Sequence, residues 1–238
     1  MLYEDDVPAA MKKQVGERVG LVREMIRFGE LKGATNKFYG GTGTSRATVN
    51  GKLTLQLIRK VSRNLQANHG KRITEILAPS ANFNTAPVEA SYLVFCHTDL
   101  ESDIRDMPGF KHVSEYGSRK PVNEYEIGSV ENFRFITSPE LVPVQGANGV
   151  TSAVGTTGLQ ATSSYVDVYQ VVVAAEDAWG QVALRGANSI DPTMIMPGQK
   201  DSGDPLGQRG YIGAKFYMAC TLLNQGWMGL IEVGASSL

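Results

Sequence analysis

The chain has 238 residues, of which 42% are hydrophobic and 20% charged, and its formal net charge is −1. This balance is typical of a globular protein long enough to bury a substantial core, in one large domain or two smaller ones, and it argues against a disordered chain. A net charge so close to zero gives no indication of nucleic-acid binding.

The N-terminal residues show no targeting signal. The segment MLYEDDVP at positions 1–8 is acidic and lacks the apolar centre of a signal peptide. No run of about 18 apolar residues occurs, so we expect no membrane span. The two cysteines, Cys96 and Cys220, lie among apolar residues, and we predict that both are buried free thiols.

The first predicted element is a long amphipathic helix. Asp6 can cap its N-terminus, and Pro8 occupies a position where a backbone N–H would have no partner. Apolar residues then recur at intervals of three and four until Gly33, which predicts a helix over about 8–32. The next stretch, 35–48, is predicted to be a loop or hairpin. It is rich in glycine but lacks the Gly-Lys-Ser/Thr ending of a phosphate-binding loop.

The second predicted helix, 53–68, belongs to the most basic segment of the chain. Its apolar residues fall on one side, and no acidic residue occurs between 52 and 72. No aromatic residue alternates with the basic ones to stack on bases. A solvent-exposed face, or a surface that contacts an acidic neighbouring subunit, is therefore favoured over nucleic-acid binding.

The central stretch, 92–121, starts with the apolar run 92–96, which is typical of a buried strand. It follows a short predicted strand and a polar loop, 79–87. Thr98 and Asp99 then provide N-caps for a short helix, because each side chain can accept from the free N–H groups of a first turn. Proline and glycine after this helix predict a turn.

The remaining predicted elements are mainly strands. One strand is expected between Val130 and Ile136, and the strongest β pattern covers 165–175. Between them, 145–164 contains no charged or aromatic residue and is predicted to be a flexible loop. Gln181–Leu184 is expected to pair back on the 165–175 strand. Two last strands are predicted to form a β-hairpin, 211–233, around Asn-Gln-Gly.

The stretch YLVFCHTDLESDIRDMPGFKHVSEYGSRKP at 92–121, and DPLGQRGYIGAK at 204–215, resemble the major capsid proteins of tailed phages. The resemblance extends over about 21–232 and is to the coliphage N-four-like subfamily, which is assigned the Hong Kong 97-like capsid fold. It implies an α+β fold with two domains. A peripheral domain, with a long spine helix and long β-strands, would comprise 1–52 and 186–238. An axial domain, with a mixed sheet flanked by helices, would comprise 53–185.

This resemblance also implies a function. The chain would be a structural protein and not an enzyme: a major capsid subunit of a tailed bacteriophage or prophage, assembled in the bacterial cytoplasm. It would bind copies of itself in pentamers and hexamers, and decoration, scaffold or portal proteins would be further partners. The shell would enclose double-stranded DNA without sequence-specific binding, and neither a cofactor, a metal nor a membrane is implied.

Family members carry an N-terminal arm and an extended hairpin loop before the spine helix. Only a few residues precede Pro8 here, so we expect a fragment, a trimmed form or an unusual short form that lacks both. The contacts between subunits are expected to be heterologous and to involve charged side chains. The candidate residues are Arg59, Arg63, Asp103, Arg105, Arg119, Lys120 and Arg209.

Other function classes stay open from the residues alone. An encapsulin-like shell would enclose cargo protein instead of DNA. A small cysteine hydrolase would use Cys96, His97 and Asp99, although neighbouring strand residues point to opposite faces. A nucleic-acid-binding module would use 52–72.

A calcium loop is a further alternative, because Asp99, Glu101 and Asp103 match its first, third and fifth positions. Ile104 and Phe110, however, occupy the sixth and twelfth positions, which need a glycine and a bidentate acid. We therefore expect the acids to favour the helix N-terminus through the helix dipole, with a nearby arginine as their partner.

Overall fold

A computed structural model describes residues 7–77, 85–117, 120–146, 158–162, 165–182, 190–200 and 203–238. The α-helices are α1 (Val7–Leu31), α2 (Leu55–Ala67) and α3 (Glu101–Arg105). The strands are β1 (Lys37–Tyr39), β2 (Ile73–Leu77), β3 (Thr85–Cys96), β4 (Lys111–His112), β5 (Glu126–Val130), β6 (Phe133–Thr137), β7 (Ala161–Thr162), β8 (Tyr165–Val166), β9 (Tyr169–Ala174), β10 (Trp179–Val182), β11 (Ile190–Ile195), β12 (Tyr211–Phe216), β13 (Ala219–Leu222) and β14 (Met228–Val233). Within these ranges no helix combines the length and apolar character that crossing a bilayer requires.

The chain forms two compact units. The smaller unit contains Met1–Arg27 and Gln181–Thr221, and the larger contains Phe28–Gly180 and Leu222–Leu238. These boundaries differ from the predicted ones at 52 and 185. The difference arises because the end of α1 and the last strand, β14, contribute buried side chains to the core of the larger unit. The terms peripheral and axial stay predictions.

The larger unit is built on an eight-stranded mixed sheet in the order β1-β14-β9-β3-β6-β5-β4, with β2 paired to β3 outside this path. The pairs β1–β14 and β3–β6 are parallel, and the other pairs are antiparallel. Strand β9 has six buried residues and lies near the centre of the sheet. The strand predicted from the β pattern at 165–175 is thus confirmed, with a short break between β8 and β9.

Successive residues of β9 face two separate apolar clusters. Val171 and Val173 pack in the cluster that contains Leu57, Val61 and the rest of the buried face of α2. Val172 and Ala174 belong to the cluster formed with Phe28 and the end of α1. A strand that is covered on both faces has a continuous apolar sequence, and β9 fits that pattern.

The two long predicted helices are confirmed, since α1 and α2 fall within two residues of their predicted ends. The sequence explains the start of α2, where the Thr54 side chain accepts a hydrogen bond from the Leu57 N–H at 3.4 Å. Truncating such a cap usually costs about 1 kcal/mol. The predicted flexible loop 145–164 lies largely outside the described residues; its described part includes the short strand β7. The predicted loop 79–87 falls outside them at 79–84, and its last residues belong to β3.

The predicted C-terminal hairpin is wrong. The stretch expected as one strand is divided into β12 and β13, and β12 pairs with β11. Strand β14 instead pairs with β9 on one side and β1 on the other. All six residues of β14 are buried, so it occupies the interior of a sheet, whereas β12 alternates exposed and half-buried residues as a two-stranded ribbon allows.

Two further strand predictions need correction. The single strand expected between Val130 and Ile136 is two antiparallel strands, β5 and β6, because Glu131 adopts a positive φ of 51° and reverses the chain. The return strand expected over Gln181–Leu184 does not pair with β9. Strand β10 pairs with β13 instead.

Candidate functional site

The exposed side of α2 carries three basic residues within two turns. Leu57, Val61 and the other apolar residues of this helix face the sheet, which leaves Arg59, Lys60 and Arg63 exposed on the outside. Arg59 forms an ion pair with Glu131 at the β5–β6 turn. In the described part of the chain, Lys60 and Arg63 have no carboxylate within ion-pair distance. The basic surface defined by these three residues is therefore only partly neutralised.

The acids after β3 have separate partners. Asp99 accepts a hydrogen bond from the Tyr169 hydroxyl at 2.7 Å, and Glu101 pairs with Arg105 one turn later in α3. The predicted pairing of Arg105 with a neighbouring carboxylate is thereby confirmed. Asp103 points to another partner set, so the three carboxylates do not converge as calcium ligands would.

Asp103 is buried and does not fit its predicted place in a subunit contact. Its carboxylate accepts from the Ser236 hydroxyl at 2.5 Å and from the Ser236 N–H at 2.9 Å. The Lys52 ammonium lies 3.4 Å away. The residue therefore joins α3 to the residues after β14, and its side chain is 2% exposed. Periodicity could not show this, because both partners are distant in sequence.

Glu232 and Arg134 are two of the buried charged groups that sequence reasoning missed. Glu232, the fifth of the six residues of β14, is 1% exposed and accepts from Arg46 at 2.5 Å and from Gln170 at 3.1 Å. Burial raises the pKa of Glu232, but the hydrogen bonds from Arg46 and Gln170 outweigh it and hold the pKa below its ordinary value. In the sequence, the position of this acid within the apolar segment MGLIEV could have indicated a buried carboxylate.

Arg134 is the second of these missed groups. Its position between two phenylalanines in β6 could have indicated a buried cation. Its guanidinium lies 3.6 Å from Glu126 and stacks over the Tyr116 ring at 5.6 Å. It also donates to the Lys120 carbonyl at 3.2 Å. Burial, with the hydrogen bond to Glu126, raises the pKa of Tyr116 to about 12. This network holds the segment around Lys120, whose side chain is exposed. Arg119 lies outside the described residues.

The glycines of the loop after α1 serve close backbone approach. A Cβ on Gly40 would lie 2.5 Å from the Gly51 carbonyl oxygen, and one on Gly51 would lie 2.5 Å from the Gly41 nitrogen. The loop therefore folds tightly on itself and against β14, where the Gly40 N–H donates to the Glu232 carbonyl at 2.8 Å. This close packing accounts for the glycines, so a phosphate-binding loop is not needed to explain them.

Cys96 and His97 do not form a nucleophile–base pair. Cys96 is fully buried, its thiol lies 3.7 Å from the Ile136 carbonyl, and burial raises the pKa of this thiol. The His97 Nδ1 instead accepts from the Asp99 N–H at 3.1 Å. The predicted caps Thr98 and Asp99 are therefore wrong, because the histidine side chain itself caps the turn. Cys220 is half-buried, so the prediction that both thiols are buried is confirmed only for Cys96.

The loop before β12 belongs to the smaller unit. Its predicted contact residue, Arg209, is exposed, and its backbone N–H donates to the Asp204 carboxylate at 2.7 Å. Gly207 has a φ of 66°, which a glycine adopts at little cost. The loop is ordered by backbone contacts, which leaves the Arg209 guanidinium on the surface.

Comparison with known proteins relates this arrangement to phage shells. No family model matches the chain. The major capsid protein of Pseudomonas phage KPP21 is 20% identical over 228 residues, which are 90% of this chain and 57% of that protein. The chain thus spans little more than half the length of this curated relative.

Two solved structures extend the comparison to the fold. The capsid of Ralstonia phage GP4 superposes with a TM-score of 0.66 at 12% identity, covering 99% of this chain and 69% of that one. The head structure of Helicobacter pylori bacteriophage KHP40 gives 0.60 at 12% identity, covering 97% and 69%. Such coverage includes the helices and strands of both units. The chain therefore has the Hong Kong 97-like fold of phage capsid proteins.

Proposed function

We propose that the chain is a structural protein, the major capsid subunit of a tailed bacteriophage or prophage. The observation that carries this proposal is the capsid fold over nearly the whole chain, and the KPP21 relative supports it. The subunits would form an icosahedral shell of pentamers and hexamers around double-stranded DNA, assembled in the host cytoplasm. Decoration, scaffold or portal proteins are further proposed partners. The coliphage N-four-like subfamily remains our finer assignment, on the motifs at 92–121 and 204–215.

Copies of the chain would meet through charged surfaces. Of the candidate residues, Arg63, Lys120 and Arg209 have exposed side chains, whereas Arg59 and Arg105 already pair within the chain. We assign the basic surface on α2 to the contact. Its proposed partner is the acidic turn at the end of α3 on a second copy, where Asp106 is exposed. Opposite charges across such a contact mainly set its specificity and association rate.

The first experiment measures the mass of the purified protein in solution and images it by negative-stain electron microscopy. Closed shells, rings or lattices are expected, and a stable monomer that catalyses a reaction would contradict the proposal. Nuclease treatment followed by analysis of the particle contents separates protected DNA from cargo protein, which would favour the encapsulin-like alternative. Replacing Cys96 with alanine should leave the particles unchanged.

Reversing the charge of the basic surface should prevent assembly without unfolding the subunit. The double variant Lys60→Glu, Arg63→Glu is expected to lose at least tenfold in the yield of particles, because like charges would face each other across the contact. Its thermal unfolding should match that of the unaltered protein, since both side chains are exposed. Combining it with Asp106→Lys should restore part of the yield. Unchanged particle yield in the double variant would rule out this surface.

A further inference from the structure

Two of the three histidines cap short helical turns with their rings. His97 precedes the 3-10 turn Thr98–Leu100, and His112 precedes the 3-10 turn Val113–Glu115. Each Nδ1 accepts from the backbone N–H two residues later, at 3.1 Å for His97 and 3.2 Å for His112. Their backbone dihedral angles nearly coincide, at φ −74°, ψ 153° and φ −69°, ψ 152°. An accepting Nδ1 carries no proton, so this geometry belongs to the neutral ring.

At His97 the accepting nitrogen also faces a carboxylate. The Asp99 Oδ2 lies 3.3 Å from Nδ1, and the same oxygen accepts from the Tyr169 hydroxyl at 2.7 Å. The His97 ring lies 5.5 Å from the ring of Tyr169, and its side chain is 14% exposed, so water reaches it. One nitrogen therefore has two alternative partners on Asp99, a backbone donor and an acidic acceptor.

We propose that His97 is a proton-sensitive cap. While the ring is neutral, Nδ1 holds the Asp99 N–H and caps the turn. When a proton binds Nδ1, that hydrogen bond is lost, because both groups are then donors. The new N–H instead donates to the Asp99 carboxylate, and the cap becomes an ion pair. Histidine is the side chain in which proteins commonly use such a proton exchange between pH 5 and 8.

The groups around His97 determine which partners are available to a proton bound to its ring. Asp99 lies on the same turn, and Glu101, whose charge reaches the adjacent Cys96, starts α3. On the β9 side, burial and the hydrogen bond to Asp99 raise the pKa of Tyr169, so its hydroxyl stays neutral across this range, and Asp167 lies nearby. Asp99 is thus the carboxylate within ion-pair distance of the His97 ring.

The turn that His97 caps connects several segments of the larger unit. The Tyr169 hydroxyl, held by Asp99, also lies 3.0 Å from the Gln160 side chain in the segment 158–162. A proton on His97 would bring a second donor to the carboxylate oxygen that accepts from the Tyr169 hydroxyl. The exchange would therefore reach the Tyr169–Gln160 contact as well as the start of α3. This inference goes beyond the proposed function and does not depend on assembly into shells.

Amide hydrogen exchange followed by NMR tests the proposal on the unassembled protein. The protection factor of the Asp99 amide should fall about fivefold between pH 7.5 and 5.5 in the unaltered chain, the loss expected for one cap. His97→Asn should keep its protection at both pH values, because asparagine accepts the same bond without titrating. His97→Ala should lack it at both. Equal pH sensitivity in the unaltered and His97→Asn proteins would overturn the proposal.

A second readout needs no variant to fold. Nitrogen-15 NMR of the histidine rings should find His97 at pH 7.5 with the proton on Nε2 and a hydrogen-bonded, unprotonated Nδ1. The chain contains only three histidines, so few signals need assignment. A His97 ring that carries its proton on Nδ1 at pH 7.5 would contradict the proposed cap directly.

Discussion

Replacing Arg46 with alanine should lower the free energy of unfolding by about 3–5 kcal/mol at neutral pH, because Arg46 is the one cation within ion-pair distance of the buried Glu232 carboxylate in the described part of the chain. That carboxylate, Glu232, lies in β14, an inner strand of the sheet, and its remaining hydrogen-bond donor is the Gln170 amide at 3.1 Å. Arg46 itself is 40% exposed, so the loss comes mainly from the uncompensated charge on Glu232. Urea denaturation of the unassembled protein at pH 7 measures it.

The pH dependence identifies the cause of this loss. In the unaltered protein the pKa of Glu232 is lowered, so the stabilisation is present above the ordinary glutamate pKa of 4.5 and is lost as pH falls through the lower folded value. Without Arg46, burial raises the pKa, and the carboxyl group takes up a proton more easily in the folded protein. The difference in unfolding free energy between the two proteins should therefore begin to narrow while the pH is still above 4.5, and it should go on narrowing as the pH falls through the lowered pKa of Glu232 in the unaltered protein.

Arg59→Ala is the matched control, since Arg59 also pairs with a glutamate but on the exposed surface of α2. Its unfolding curve should almost coincide with that of the unaltered protein, because exposed ion pairs contribute little. Glu232→Gln is the second control and should show a smaller loss than Arg46→Ala that does not vary in the acid range. Equal losses of unfolding free energy for Arg46→Ala and Arg59→Ala would show that the buried pair stabilises the protein no more than an exposed pair does.

Replacing Gly51 with alanine should destabilise the protein by about 3 kcal/mol, at the upper end for an overpacked site. The added Cβ would lie 2.5 Å from the Gly41 nitrogen and 2.6 Å from the Gly41 Cα. Both are backbone atoms, so no side chain can rotate away. The loop would have to separate, and the hydrogen bond from the Gly234 N–H to the Gly51 carbonyl, 3.0 Å long, would be strained with it.

Gly20→Ala provides the opposite control. Gly20 lies in the interior of α1, and a Cβ there meets no heavy atom within 4 Å in the described part of the chain. Alanine is the better helix former, so this variant should gain up to about 1 kcal/mol. Thermal unfolding of the two variants side by side measures both effects. A loss at Gly20 as large as that at Gly51 would contradict the role assigned to the close backbone approach.

The fold of the loop closed by Gly40 and Gly51 and the buried Arg46–Glu232 pair depend on each other. Arg46 lies in the loop that Gly40 and Gly51 close, and its guanidinium reaches Glu232 only because the loop is folded against β14. Arg46→Ala and Gly51→Ala should therefore destabilise the same loop. Combining Arg46→Ala with Gly51→Ala should cost less than the sum of the single losses, since neighbouring sites are not independent.

Local patterns in the sequence were sufficient for the elements that depend on neighbours along the chain. The three- and four-residue spacing of apolar side chains placed α1 and α2, and the β-branched run placed β9. Long motifs were sufficient for the capsid fold, through their resemblance to a known family. The positions of α1, α2 and β9 are set within a single helix or strand, where side-chain periodicity decides which face is buried.

Only the tertiary structure decided which distant segments meet. Strand β14 looks from its neighbours like the return of a hairpin, but its six buried residues are accommodated between β9 and β1. Arg46 and Glu232 are 186 positions apart, and Asp103 and Ser236 are 133 apart. Strand pairing and the pairing of buried charges depend on the order of the sheet, which residue spacing along one segment does not contain. That is why Asp103 was assigned to the surface.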